Sequence, residues 1–367
     1  MIRKLLRRVS GVEALGTWTR QQINGVRTSV AAAEKHGKST GKKLKELRET
    51  LALERRDAAD ARAALVAQRS EIAALSARLT QVERLADANE RLAKLLFRPD
   101  PQEIAATAAH VRAAVARATL CLDPGPHVVI DDVLPQSVYV RLLAAVPPVE
   151  FFTGGGDGTK LDYRVFSTAP VPTASRVIWE TFESEIVRDV LMPALLDLFA
   201  PALADHFAGL FGADFAAEAT RLPTRANGRI MLRRPGFTQG AHLDPKRSLI
   251  TGILYLASST GGQQYGTQLY RVDRPVSAPS MTTYYLNADQ VSNQRPTQVS
   301  FLPNRVLAFV NSVAHGAELP EAATLRERLA YQFYVKPRDG ALANFLRTLP
   351  ADRQEPWTEL LATHGDR

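Results

Sequence analysis

The chain has 367 residues, of which 46 are Lys or Arg and 38 are Asp or Glu, giving a formal net charge of +8. The 268 residues that follow Pro99 are ample for a sizeable buried core. The single cysteine, Cys121, excludes an intrachain disulfide, which favours a reducing, cytoplasmic location. No apolar run follows the N-terminal charges, so we expect neither a secretory signal nor a membrane-spanning helix.

The positive charge is confined to the N-terminal part of the chain. Residues 1–98 hold 21 Lys and Arg against 11 Asp and Glu, whereas residues 99–367 hold 25 against 27. The high overall pI therefore gives no reason to predict a nucleic-acid partner. Residues 1–9 predict a basic amphipathic helix suited to an anionic membrane surface, which would make the protein membrane-peripheral, or to an acidic partner; a solvated helical extension is the alternative. Residues 36–43 predict a flexible basic hinge, which ends the N-terminal segment 1–43.

Residues 44–98 predict one long helix with a heptad repeat. No Pro or Gly interrupts this segment, and thirteen of the sixteen a and d positions between Leu44 and Leu96 are apolar. At 1.5 Å per residue such a helix is about 80 Å long. Its apolar stripe needs burial, so we predict self-association as a dimeric or higher coiled coil, with Gln68 and Asn89 as polar positions that set the register. The alternative is a single helix folded back onto the rest of the chain.

Residues 99–103 mark a domain boundary. Asp100 is a predicted N-cap, Pro101 suits the first helical position, and Glu103 completes a capping box. We therefore predict a globular domain over residues 99–340, followed by a helical C-terminal tail over residues 341–367.

The predicted elements of this domain are helices first and short strands later. The apolar spacing predicts a run of strands from about residue 227 to 336. Helices are predicted before it, near residues 101–120, 135–145, 174–200 and 202–211. This order favours an α+β fold, namely a double-stranded β-helix (jelly roll) with supporting helices, preceded by the long N-terminal coiled-coil helix.

Within the predicted strands, His242-Leu-Asp244 is followed by His315 and then by Arg328. Residues two apart on a strand point to the same face, so His242 and Asp244 can converge on one ion, and a later strand can add His315. Two imidazoles and one carboxylate leave the opposite coordination positions open, as in non-haem Fe(II) oxygenases. A zinc hydrolase is less favoured, since the chain has no His-Glu-x-x-His motif or Cys cluster; ordinary core and surface residues are the structural alternative.

The segments around these residues resemble those of a known family. The chain contains, in order, a strand-like stretch ending in Pro-Gly, a Gly-Thr-Gln-Leu-Tyr strand, a Pro-Asn-Arg-Val-Leu-Ala-Phe strand, His-Gly, and an Arg-led apolar strand, at residues 228–236, 266–270, 303–309, 315–316 and 328–335. This order resembles the Fe(II)/2-oxoglutarate-dependent dioxygenases of the prolyl 4-hydroxylase type. A short apolar strand running into Asp-Asp at residues 127–135 extends the resemblance to roughly residues 120–340.

The resemblance implies that His242, Asp244 and His315 bind Fe(II) and that Arg328 pairs with the distal carboxylate of 2-oxoglutarate. A guanidinium suits this task because its planar fork donates two parallel charge-assisted hydrogen bonds. Arg328 lies thirteen residues after His315, further than the family usually places its basic residue, so Arg326 remains the alternative on the same expected strand face.

The implied reaction consumes O₂ and 2-oxoglutarate, hydroxylates an unactivated C–H bond of an unidentified substrate, and releases succinate and CO₂. An Asp at position 244 favours hydroxylation over halogenation, because halogenases of this class lack that carboxylate. The alternative function is a coiled-coil scaffold or interaction protein whose jelly-roll domain binds a ligand without catalysis. Many relatives place a Tyr on the strand before the His-x-Asp motif; this chain has none there, which leaves Tyr255, Tyr270 and Tyr334 as candidates for contacting 2-oxoglutarate.

Four cations lie close in sequence to the metal-binding strand. Arg233 and Arg234 are interpreted as surface charges near the mouth of the pocket, and together with Lys246 and Arg247 they hint at an anionic substrate. The Gly-rich residues 154–158 do not fit the phosphate-loop pattern and instead predict a mobile loop, which could serve as a lid over the site.

Overall fold

The computed structural model describes residues 20–32, 35, 41–272, 282–287, 289–291 and 296–363. The amphipathic helix predicted for residues 1–9, residues 36–40 of the predicted hinge and residues 364–367 of the predicted tail lie outside these ranges. The chain divides between Asn89 and Glu90 into two compact units, which are described separately.

A single helix, α1 (Gly41–Phe97), takes up most of the first unit. Its length follows from a sequence rich in Ala, Leu, Glu and Arg that contains no Gly or Pro after Gly41. The predicted long helix is therefore confirmed, while its assembly into a coiled coil stays a prediction. Several of its apolar side chains are exposed in the single chain, namely Leu53, Val66, Leu75, Leu79, Val82 and Leu85. No helix in the described ranges has the length and apolar character needed to cross a bilayer.

The second unit contains helices before, between and after its strands. Their bounds are α2 (Pro101–Arg117), α3 (Gln136–Ala144), α4 (Thr173–Thr181), a π-helical continuation (Phe182–Leu191) into α5 (Met192–Leu198), α6 (Ala200–Phe211), α7 (Ala213–Ala219), α8 (Asp339–Thr348), α9 (Ala351–Gln354) and α10 (Thr358–Thr363). The Asp100 carboxylate caps α2 by accepting hydrogen bonds from the backbone N–H groups of Gln102 (2.6 Å) and Glu103 (2.9 Å). This half of the predicted capping box is confirmed, while Glu103 directs its own carboxylate to Arg141 at 3.0 Å.

Twelve named strands of the second unit form two antiparallel sheets. The strands are β1 (His127–Ile130), β2 (Thr153–Gly154), β3 (Lys160–Arg164), β4 (Thr224–Arg233), β5 (Phe237–Leu243), β6 (Ile250–Tyr255), β7 (Thr267–Tyr270), β8 (Tyr284–Tyr285), β9 (Thr297–Val299), β10 (Val306–Val310), β11 (Ala314–Leu319) and β12 (Arg328–Pro337). The larger sheet has the order β1-β10-β6-β12-β4-β3-β2, and the smaller has β8-β5-β11-β7-β9. The unit thus combines helices with antiparallel sheets, as the sequence predicts, and the jelly-roll winding stays a prediction.

Alternation along β4 and β12 gives these two strands one apolar face and one face that is mostly polar, apart from Met231 and Ala330. Ile230, Tyr331 and Phe333 point into the large core, where the rings of Trp179 and Phe182 pack on Tyr331 at centroid distances of 5.4 and 5.5 Å. The residues between them point to the opposite side, because successive side chains of a strand alternate. The helical residues after β12 contribute Leu346 and Trp357 to the same core.

Gly252, in the middle of β6, leaves no space for a side chain. A Cβ there would lie 2.1 Å from Cζ of the buried Phe333 ring on β12. We expect Gly252→Ala to lower the free energy of unfolding by about 1–3 kcal/mol, the usual cost of overpacking a core. The matched control is Gly340→Ala in α8, where nothing lies within 4 Å of the new Cβ and where Ala should stabilise by up to about 1 kcal/mol. Urea denaturation measures both, and equal effects would contradict this account.

Candidate metal centre

Two histidines face each other across neighbouring strands of the smaller sheet. In the pairing of β5 with β11, His315 lies directly opposite His242, and their ring centroids are 4.1 Å apart. Both side chains are buried, at 4% exposure. Opposite residues of antiparallel strands project to the same face, so both imidazoles are directed to one point on the inner side of this sheet.

Asp244 follows β5 directly and completes the cluster. Its Oδ2 lies 3.7 Å from His315 Nε2, and one ligand atom from each of Asp244, His242 and His315 falls within 4.8 Å of the others. The larger sheet holds the carboxylate in place: Tyr334 of β12 donates its hydroxyl to Oδ1 at 3.1 Å, and Thr251 of β6 donates to Oδ2. The two sheets therefore meet at a group of three buried ligands able to bind one ion.

The environment keeps both imidazoles neutral near pH 7. His242 Nδ1 is 2.9 Å from the carbonyl oxygen of Gly240, which favours a proton on Nδ1 and leaves Nε2 as the acceptor atom of the ring. The side-chain nitrogen of Gln239 lies 2.9 Å from this Nε2, in a contact that a metal would replace. Burial, and then the neighbouring His315, lower the pKa of His242, and burial lowers the pKa of His315. Because metals bind the neutral imidazole, protons compete for these ligands only at a pH below the ordinary value of about 6.5.

Arg328 is a buried cation beside this cluster. Its Nε donates to the backbone carbonyl of Tyr265 at 2.6 Å and its Nη2 to Thr267 Oγ1 at 3.1 Å, and its guanidinium carbon lies 5.5 Å from the ring centroid of Tyr255 and 5.4 Å from that of Phe301. No carboxylate of the described residues forms an ion pair with it. Burial lowers the pKa of Arg328, and an uncompensated buried charge is costly. This side chain is therefore suited to an anion that enters from the cavity.

The other predicted cofactor-binding residues lie in different places. Arg326 is exposed and precedes the start of β12, so the shared strand face expected for it and Arg328 does not form. Tyr255 is fully buried and donates to Thr267 Oγ1 at 2.8 Å, where its ring supports Arg328. Tyr334 contacts Asp244, whereas the Tyr270 hydroxyl donates to the Gln268 side chain at 2.6 Å.

The three ligands and Arg328 line a cavity of about 140 Å³. Its wall also contains Arg233, which the sequence analysis placed near the mouth of the pocket, and Lys160 and Arg229, which it did not assign to the site. The interpretation of Arg233 as a surface charge is wrong: its side chain is 2% exposed and pairs with Asp162 at 2.9 Å.

The Gly-rich residues 154–158 belong to the hairpin between β2 and β3. The turn is closed by the Gly158 N–H donating to the Gly155 carbonyl oxygen at 3.2 Å, and Gly158 adopts a φ of +69°, which favours glycine. This hairpin adds β3 to the larger sheet and brings Lys160 to the cavity. A strand signal was present in the sequence, since the polar side chains of Lys160, Asp162 and Arg164 alternate with Leu161 and Tyr163.

No protein family and no curated protein matches the sequence. Solved structures do resemble the fold. They include a Pseudomonas putida prolyl-4-hydroxylase, with 15% identity, a TM-score of 0.37, and coverage of 63% of this chain and 99% of that chain. A Burkholderia pseudomallei protein of the 2OG-Fe(II) oxygenase family has 12% identity, a TM-score of 0.35, and coverage of 65% and 93%. A Phytophthora capsici prolyl 4-hydroxylase has 15% identity, a TM-score of 0.33, and coverage of 72% and 85%.

Tyr334 should strengthen metal binding through Asp244. Removing its hydroxyl by Tyr334→Phe leaves one carboxylate oxygen without its donor, and we expect divalent-metal affinity to fall by about 10-fold or more, as for other groups that orient metal ligands. The matched control is Tyr331→Phe on the same strand, because that hydroxyl points into the core and donates to Glu183 at 3.0 Å. Isothermal titration with Mn(II) measures both variants. Equal affinities of the two would contradict a supporting role for Tyr334.

Proposed function

We propose that this chain is an Fe(II)- and 2-oxoglutarate-dependent oxygenase that hydroxylates an unactivated C–H bond. One observation carries the proposal: two buried imidazoles and a carboxylate converge on one cavity in which Arg328 is a buried cation without a carboxylate partner among the described residues. The neighbouring solved structures described as prolyl 4-hydroxylases and 2OG-Fe(II) oxygenases agree with this assignment.

The donor set fits Fe(II). His242, His315 and the carboxylate of Asp244 form a two-histidine, one-carboxylate group, which would hold Fe(II) and leave further coordination positions for the cosubstrate and O₂. A catalytic zinc site would use a similar donor set but gives no reason for a buried, unpaired arginine. When bound, iron with 2-oxoglutarate and O₂ supplies the oxidising chemistry, in which one oxygen atom enters the substrate while succinate and CO₂ leave.

Arg328 provides the anion site for the cosubstrate. Tyr265 and Thr267 fix two of its donor atoms, and the rings of Tyr255 and Phe301 hold the guanidinium plane. A fixed planar fork can pair with a carboxylate bidentately at little entropic cost. We therefore assign the distal carboxylate of 2-oxoglutarate to Arg328 rather than to the exposed Arg326.

The proposal extends to architecture. We propose that residues 99–340 wind as a jelly roll around the metal centre and that α1 associates with further copies of itself as a coiled coil. The exposed apolar positions of α1 support the second point. A cytoplasmic location, and a membrane surface or acidic partner for residues 1–9, remain predictions from the sequence.

Anaerobic addition of Fe(II) and 2-oxoglutarate tests the function directly. We expect the visible charge-transfer band of an iron chelate with wild-type protein and its loss in His315→Ala, which removes one ligand. A protein that binds neither component would favour the scaffold function instead.

The same titration separates the two arginines. Arg328→Gln should weaken 2-oxoglutarate binding by about 10- to 100-fold, because a charge-assisted hydrogen bond contributes about 1.5–3 kcal/mol. Arg326→Gln is the matched control and should leave the titration unchanged. A larger loss of affinity in Arg326→Gln than in Arg328→Gln would instead assign the carboxylate of 2-oxoglutarate to Arg326.

Self-association of α1 is tested by charge placed on its apolar stripe. Leu75→Asp and Leu79→Asp together should shift the full chain toward monomer in sedimentation velocity, because buried unpaired carboxylates oppose the coiled-coil interface. The control, Ala74→Asp with Ala77→Asp, adds the same charge at positions outside the a and d repeat. Equal sedimentation of both variants and the wild type would contradict the coiled coil.

A further inference from the structure

The strands beside the metal centre place like charges directly opposite one another. Across β3, β4 and β12, Lys160 pairs in register with Arg233, which in turn pairs with Arg328. Two further cross-strand positions repeat this arrangement, Arg164 opposite Arg229 and Arg225 opposite Lys336. Like charges directly opposite on a sheet are destabilising, so the fold gains nothing from this arrangement by itself.

All of these cations belong to the polar face of the sheet. They alternate along their strands with residues of the large core such as Ile230 and Phe333, so they project to the side of the sheet that faces the metal. Within residues 99–367 the excess of positive charge is local to this face, because acidic residues outnumber basic ones there, 27 to 25. A basic composition therefore does not explain the cationic face.

Few carboxylates neutralise this face. Asp162 pairs with both Arg233 (2.9 Å) and Arg229 (3.2 Å), and Asp339 pairs with both Arg225 and Arg247. Each of these two carboxylates is thus shared between two guanidinium groups.

Lys160, Arg164 and Lys336 have no ion pair with any carboxylate of the described residues. Burial, and then the neighbouring Arg247 and Arg225, lower the pKa of Lys336, which agrees with a surplus of positive charge around it.

The cations line a groove next to the metal cavity. This groove, of about 550 Å³, shares Arg229 and Tyr334 with the cavity, and Arg164, Arg225, Arg247 and Lys336 complete its cationic lining. Glu183 also faces it, but its carboxylate is occupied by the Gly228 N–H (3.0 Å) and the Tyr331 hydroxyl (3.0 Å). The groove and the metal cavity therefore adjoin at Arg229 and Tyr334.

We propose that the groove binds anionic groups, carboxylate or phosphate, of the substrate whose C–H bond lies at the metal. The two positive charges of Fe(II) and the two negative charges of 2-oxoglutarate cancel. The positive charge of the groove therefore remains available to the substrate after both have bound. Guanidinium groups fit carboxylate and phosphate oxygens bidentately, which provides orientation as well as attraction. As a substrate assignment this inference rests on the proposed oxygenase function, whereas the anion site itself does not.

Residue-resolved protection of lysines tests the proposal, because the basic residues 1–98 would also attract anions. The full chain is treated with a lysine-acetylating reagent in the presence of hexaglutamate or of tripolyphosphate, and acetylation of Lys336 is read by mass spectrometry. We expect at least one probe to protect Lys336 in a salt-sensitive way, and the effective probe tells carboxylate from phosphate.

Arg164→Gln removes a neighbouring groove cation and with it one charge-assisted contact to the probe. We therefore expect the probe concentration that gives half-maximal protection of Lys336 to rise by about tenfold. Arg112→Gln removes an exposed cation of α2 and should not change it. Anion binding in the groove is overturned if neither probe protects Lys336, or if both variants shift the half-protecting concentration equally.

The charge-transfer band of the wild type with Fe(II) and 2-oxoglutarate is recorded on the same sample. A charge-transfer band without protection of Lys336 would contradict the anion-binding groove but would support the oxygenase function. Protection without a band overturns the oxygenase function, and with it the substrate assignment, while the anion site stands.

Discussion

The metal centre depends on the register between β5 and β11. His242 and His315 share a face only because they lie directly opposite in this pairing, and a slip of one residue would turn one imidazole to the other side of the sheet. The third ligand is held from elsewhere, since Thr251 and Tyr334 of the larger sheet donate to the Asp244 carboxylate. The centre is therefore complete only where the two sheets meet, which couples the ligand geometry to the packing of the whole unit.

Burial has opposite consequences for the groups around this centre. It keeps the imidazoles of His242 and His315 neutral, which prepares them for a metal, and it makes the permanent charge of Arg328 costly. A protein that only needed to fold would replace such an arginine by an apolar residue. The hydrogen bonds from Arg328 to Tyr265 and Thr267 fix its position without neutralising it, so its charge remains available to a ligand.

The sequence was informative where the signal is local. Alternation along a strand was enough to place His242 and Asp244 together, and the apolar pattern after Arg328 located β12. It was misleading for Arg233, because a polar side chain that faces a cavity has the same alternation as one that faces solvent. Lys160 was missed for a related reason: the Gly-rich residues 154–158 suggested a mobile loop, and the strand after them became part of the site only by pairing with β4.

The sequence by itself determined the candidate ligands His242, Asp244 and His315 and the long helix that precedes them, because residue type, strand period and the absence of helix breakers are properties of the chain. The tertiary structure decided which of two nearby arginines is buried, which tyrosine contacts Asp244, and that cations from three strands form one surface. These depend on register and on the meeting of strands distant in sequence, and no local pattern specifies how β3, β4 and β12 align.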